Sequence, residues 1–469
     1  MDSTELAYAG LARQAELVRA REVSPRELVD LYLERIERLD PRLNAYRVVL
    51  AERARAEAEQ AEARLGAGDE RPLLGVPVAI KDNLHLAGEL TGHGSAGHGG
   101  PQGEDSEQVR RLREAGAIVI GKTHLPELAI YPWTESEAFG KTRNPWNTDR
   151  SAGGSSGGSG VAVAAGLAAA ASASDGGGSI RIPASCNGLV GLKPQRGRVS
   201  LMPDREHWHG LSVAGSLTRT VLDSALWLDA VAGPADGDAD RATPPERPFA
   251  ESARTPPGRL RIAVSTKSPV PMVRVEEPVK RATRETADAL RSLGHEVFER
   301  DPKYPELRTS FIPRWLRGIA DDVDAALEHP DRIERRTRSL AALGRRIGDG
   351  GLARARAREQ RIAAGINAIF EHCDVLLQPT ITHPPREIGR YDGRGWLWAT
   401  AGAANTTPFT VPWNTTGQPA LSVPAPSLHE GLPIGVQLVG RPHDEATLLS
   451  LGAQLEAEVG WADRRPPVD

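Results

Sequence analysis

Two knots of glycine and serine hold the residue types with which a protein can break an acyl bond. The first runs Gly153-Gly154-Ser155-Ser156-Gly157-Gly158-Ser159, the second Ser174-Asp175-Gly176-Gly177-Gly178-Ser179-Ile180-Arg181. Glycine permits tight bends and positive φ, and it lets backbone N–H groups face a ligand. Ser179, at the end of such a loop, can attack what the loop binds. A serine hydroxyl is a poor nucleophile until a base takes its proton, and lysine does so only when neutral, a state that burial favours. Only seven of the 58 basic residues are lysines, and one of them, Lys81, closes the apolar run Val76-Pro77-Val78-Ala79-Ile80. A strand end packed beneath glycine loops desolvates its last side chain, so Lys81 is the candidate base. A serine of the first knot, Ser155 or its neighbour Ser156, can relay the proton, since a hydroxyl both donates and accepts.

Other chemistries fit less well. Gly153-Gly154-Ser155-Ser156-Gly157 matches the G-x-S-x-G pattern of a nucleophile elbow, but the elbow must follow a strand and Asn144 to Arg150 reads as a loop. Neither knot is followed by Lys-Ser or Lys-Thr, which excludes a phosphate-cradling loop. The twelve histidines are scattered, and the near-clusters at His93, His98, His207 and His209 lack the paired helical spacing of a metal site, so no metal is expected.

The elements that must carry these residues follow an α/β pattern. Glu5 to about Leu65 reads as helices, with Ser24-Pro25-Arg26-Glu27 supplying an N-cap, a proline at the first helical position and a capping-box glutamate. Strands are expected at 76–80, 117–120, 170–175, 261–265, 374–378, 420–424 and 434–439. Helices are expected at about 106–115, 161–169, 219–232, 276–293, 332–346, 352–373 and 445–458. Pro234 to Pro257 is the best linker candidate.

Beyond these residues taken singly, both knots resemble the glycine/serine core of the amidase signature family. The resemblance extends to Leu74-Gly75-Val76-Pro77-Val78-Ala79-Ile80-Lys81-Asp82-Asn83, Gly121-Lys122-Thr123, Thr142-Arg143-Asn144-Pro145-Trp146 and Gly191 to Val199, and later to Pro412 to Ala420 and Leu432 to Gly440. It implies one α/β domain over residues 1–469, a large mixed sheet covered by helices on both faces, with a less recognisable, mainly helical insert at about 240–370. It also implies a triad of Ser179 as nucleophile, Ser155 as bridging serine on a cis peptide, and Lys81 as base; the spacing from Ser155 to Ser179 selects Ser155 over Ser156. The amides of Gly176, Gly177, Gly178 and Ser179 are expected to form the oxyanion hole, with Asp175 and Arg181 bracing the loop and Lys122 and Lys193 structural. Gly176 departs from the family, which often has threonine there.

The activity so implied is hydrolysis of a carboxylic acid amide through an acyl-serine, with no metal or organic cofactor. The alternatives are a glutamine-hydrolysing amidotransferase subunit, an esterase or carbamate hydrolase, and a non-catalytic binding protein. A net charge of −4 with 39% hydrophobic residues favours neither a nucleic-acid partner nor an anionic membrane. Two cysteines, expected as free thiols, and no basic-then-apolar N-terminal stretch fit a cytoplasmic enzyme, as a monomer or homodimer. Nine tryptophans against six phenylalanines, several in loops, point to an aryl or otherwise apolar amide, with Tyr131, Trp133, Trp208, Trp398 and Trp413 as pocket candidates.

Overall fold

The computed structural model describes residues 1–468. Its centre is the alanine-rich run after the first knot. Small side chains let a helix, Gly157–Ala164, lie close on the strand that follows, and residues 161–171 are almost wholly inaccessible to solvent. That strand belongs to an eleven-stranded sheet of β1 (Tyr46–Val49), β2 (Pro77–Lys81), β3 (Ile118–Thr123), β4 (Ala170–Asp175), β5 (Val190–Lys193), β6 (Val213–Thr218), β7 (Arg261–Val264), β8 (Glu296–Glu299), β9 (Val375–Pro379), β10 (Ala420–Pro424) and β11 (Gly435–Val439). The spatial order is β1-β3-β2-β4-β6-β5-β10-β11-β9-β7-β8. The sheet is mixed: β2 runs parallel to β3 and β4, whereas β6, β5, β10 and β11 follow one another antiparallel. The central strands are buried along their whole length except at Ser174, as strands covered on both faces must be.

This topology positions the site. Because β2 and β4 are parallel neighbours, with Val78 opposite Ala170 and Ala79 opposite Ala171, their C-terminal residues Lys81 and Asp175 reach the same edge. The second knot starts there, and the first packs alongside. Ligand sites in α/β sheets recur at such strand ends.

Local signals read from the sequence reappear. Ser24 caps the helix Pro25–Leu43 through a complete capping box with Glu27. The segment Pro234 to Pro257, expected as a linker, instead docks on the body: its short helix Phe249–Arg254 buries Phe249, and the carboxylate of Asp229 accepts the Phe249 and Ala250 amides at 2.7 and 2.8 Å. Within 240–370 the helical part is also narrower than expected. Residues 261–299 form a strand, a helix and a strand at one end of the main sheet, and the all-helical portion comprises Arg308–Ala325, Arg335–Gly344 and Asp349–Asn367.

Candidate active site

Lys81, at the end of β2, is fully buried. Its amine donates to Ser155 Oγ at 2.8 Å and to Ser174 Oγ at 2.9 Å. Its backbone N–H donates to Ser172 Oγ at 2.7 Å, which ties the strand end to β4. Burial drives the amine down to about 7, against the opposing pull of Asp175. A large fraction is therefore neutral near neutral pH and able to accept a proton. The Gly154–Ser155 peptide is cis, and Thr134 holds this turn, its hydroxyl donating to Gly153 O at 2.9 Å and accepting from Gly157 N at 3.0 Å. Ser156 points elsewhere, its hydroxyl exchanging bonds with the Ser174 backbone, while its N–H donates to Ser179 O at 3.3 Å. Thus the two knots touch, and only Ser155 of the serine pair faces the lysine.

The second knot is braced from below. Asp175 accepts from Gly178 N (2.7 Å), Ile180 N (3.2 Å) and two guanidinium nitrogens of Arg181 (2.9 and 3.0 Å). Burial works to raise the Asp175 carboxyl, but the adjacent Arg181 outweighs it and holds the group at about 2. Arg181 in turn donates to Gln437 Oε1, Thr410 O and Asn414 Oδ1, and Asn414 returns to Asp175 at 2.8 Å. A fully buried ion pair is tolerable only when its remaining polar atoms are matched in this way. Asp175 and Arg181 brace the loop, as expected.

The same bonds correct one expectation. The Gly178 amide, expected in the oxyanion hole, is committed to the Asp175 carboxylate, and the loop turns there at φ 130°. Among the described residues, the amides of Gly176, Gly177 and Ser179 carry no internal hydrogen bond. These three remain available to an oxyanion.

Ser179 and Gly177 open onto a cavity of about 290 Å³ whose wall is almost entirely apolar. Of the pocket candidates, Tyr131 and Trp208 line it; Trp396, in the same segment as the candidate Trp398, lines it too, as do Phe311 and Trp315, which the loop criterion does not reach. Three other pocket candidates lie elsewhere. Trp133 sits behind the wall, stacked between Tyr131 (4.9 Å) and Tyr391 (4.1 Å). Trp413 is fully buried in a cluster with Cys373, Leu376 and Val439. Trp398 is 68% exposed, beneath the guanidinium of Arg394. The missed residues had a signal: Phe311 and Trp315 are four apart on one helix, the spacing of a single helical face.

Lys122 and Lys193 bond to other partners than Lys81, Ser155 and Ser179. Lys122 pairs with Asp82 at 2.9 Å and donates to Leu90 O and Thr91 Oγ1; Lys193 donates to Pro194 O at 2.9 Å and Gly417 O at 3.4 Å. Both cysteines are free and buried. Among the described residues, no helix is long and apolar enough to cross a membrane.

Comparison with known proteins identifies the family. Residues 27–449 match the family model described as Amidase. The chain is 51% identical over its full length, and the full length of the relative, to a Mycobacterium tuberculosis (strain ATCC 25618 / H37Rv) protein named "Putative amidase AmiB2". It is 36% identical to the 6-aminohexanoate-cyclic-dimer hydrolase of Paenarthrobacter ureafaciens, over 97% of this chain and 95% of that one. A solved 6-aminohexanoate cyclic dimer hydrolase superposes with a TM-score of 0.92 at 34% identity, covering 98% of this chain and 99% of the other. A bacterial aryl acylamidase superposes with a TM-score of 0.87 at 25% identity, covering 97% of each.

Proposed function

We propose, for a chain that belongs to the amidase signature family and hydrolyses amide C–N bonds, that hydrolysis runs through an acyl-serine on Ser179 with Lys81 as base and Ser155 as relay. The observation that carries this reading is the 2.8 Å bond from the buried Lys81 amine to Ser155 Oγ, beside a loop with three uncommitted amides. Ser179 Oγ attacks the amide carbon as its proton passes to Ser155 Oγ and the Ser155 proton passes to neutral Lys81. Charge that develops on the carbonyl oxygen is met by the amides of Gly176, Gly177 and Ser179, fixed in place before reaction begins. One such donor is worth about 2.7–4 kcal/mol of barrier. The tetrahedral adduct collapses as Ser155 hands a proton to the departing nitrogen and takes one from Lys81. The C–N bond breaks, the amine leaves, and water cleaves the remaining ester by the same relay in reverse.

The substrate we assign is a small amide with an apolar acyl group, because Ser179 and Gly177 open onto the aromatic cavity. One sheet carrying strands from Tyr46 to Val439 supports the reading of a single domain. Two buried free thiols suit a reducing, cytoplasmic setting.

The test is covalent labelling with a fluorophosphonate probe and mass mapping of the modified residue. Wild-type protein is expected to carry the adduct on Ser179, and Ser179→Ala to lose both adduct and amide turnover. An adduct of undiminished yield on Ser179→Ala overturns the assignment.

A further inference from the structure

A second, larger cavity of about 550 Å³ lies on the other side of a single side chain from the apolar one. About half of its lining is polar: His93, Asp204, His207, Asp321 and Asp322 line it, no lysine or arginine among the described residues does, and it reaches Ser174, the second hydroxyl bonded to Lys81. Among the described residues only two line both cavities, Ala129 and Trp208. The indole is therefore the wall between them.

Three observations show that this wall is built in. Trp208 and its neighbour His209 hold left-handed backbone, at φ 47° and 54°, which a bulky residue adopts only when its surroundings enforce it. The indole N–H donates to Asp322 Oδ2 at 2.8 Å, while His207, bonded to the same oxygen at 3.2 Å, stacks against the indole at 5.2 Å. Finally, the ring occupies a slot made by two glycines. A Cβ on Gly176 would stand 2.6 Å from Trp208 Cε3, and one on Gly318 would stand 2.5 Å from Trp208 Cδ1. A side chain at position 176, where the family often has threonine, cannot coexist with the ring in this place.

From this geometry we infer that Trp208, seated by Gly176 and Gly318, is the specificity-determining wall of the enzyme: it confines the acyl group to the apolar cavity and denies acyl chains with a polar or cationic end the polar chamber. The inference rests on Ser179 being the nucleophile, since that assignment decides which cavity receives the acyl group.

The test measures second-order labelling rates with two alkylphosphonofluoridates, hexyl and 5-aminopentyl, which differ only in ending in CH₃ or NH₃⁺. Wild-type enzyme is expected to favour the hexyl probe, and Trp208→Ala to shift the ratio toward the cationic probe by about tenfold or more, the size of effect a pocket contact carries. Gly176→Ala is expected to slow both probes about tenfold or more in the wild-type background, and to cost less when added to Trp208→Ala, because the ring contact is gone and only the 2.8 Å approach to Ser212 Oγ remains. Gly318→Ala, which displaces the ring without deleting it, is expected to shift the ratio in the same direction as Trp208→Ala and keeps the test open should that variant not fold. An unmoved ratio in whichever of these two folds, or equal cost of Gly176→Ala in both backgrounds, overturns the wall. Ser179→Ala separates the two layers of the argument: if it is silent and the ratio is unmoved, only the wall fails, whereas labelling at the wild-type rate removes the nucleophile on which both depend.

Discussion

The floor and the wall of the cavity at Ser179 are held by opposite means. The floor, from Lys81 through Asp175 to Arg181, is a polar lattice in which the ion pair is inaccessible and each charged group is bonded on several sides. The wall is aromatic and aliphatic, contributed by residues 129–132, 208, 307–316 and 396–411, and held by packing and a few bonds at its margins. A lattice of directional bonds fixes atoms to tenths of an ångström but tolerates no exchange of its members. Packed rings tolerate exchange and change only shape. Such a division lets one reaction be kept while its substrates differ.

Substitutions on the two sides test that contrast, the floor first. Lys81→Met is expected to lower kcat by about 10²–10⁴-fold, the usual contribution of a positioned base. In the wild-type enzyme, kcat is expected to rise with pH through a single ionisation near 7, because burial holds the amine there and only its neutral form accepts a proton. A pH–rate profile shows this, and a residual rate in Lys81→Met with the same inflection would mean that another group titrates. Arg181→Met leaves the Asp175 carboxylate buried without its partner, a loss of about 3–5 kcal/mol. Urea unfolding is expected to show it as a lower midpoint or as failure to fold, and a midpoint equal to wild type would show the lattice to be dispensable. On the wall, Trp315→Ala is expected to raise KM for apolar amides roughly tenfold with a smaller change in kcat. A fall in kcat alone would tie this ring to the chemistry. The smallest effect belongs to Trp398→Ala, outside the wall: stability within about 0.5 kcal/mol of wild type and unchanged KM, checked by the same two measurements.

The same contrast governs what could be read from the sequence. The floor was legible in part from its own residues, a lysine ending an apolar strand and serines set among glycines, while the choice of Ser155 over Ser156 rested on the family resemblance. Their alternation of strand and helix was legible too, since each element carries its own periodicity and caps. What the sequence did not carry is which amide of Gly176-Gly177-Gly178 is already committed, since that depends on where the Asp175 carboxylate points once Arg181 and Asn414 surround it. The wall was legible only in composition. Tyr131 and Trp208 were found among loop aromatics, but the same criterion took in Trp413, which fills the core, and Trp398, which faces solvent. Whether a ring lines a cavity or fills a core is decided by partners distant in sequence. Phe311 and Trp315 stood on one helical face, yet a helical face states only that something covers it.

The brace beneath Ser179 carries a consequence for synthesis. Lys81, Ser155 and Ser179 all lie in the first half of the chain, but the groups that bond Arg181, Asp175 and Gly177 come from Thr410, Asn414 and Gln437. A ribosome emits Lys81, Ser155 and Ser179 long before it emits the residues that hold the second knot in shape. The brace beneath Ser179 is therefore incomplete in the nascent polypeptide until β11 docks.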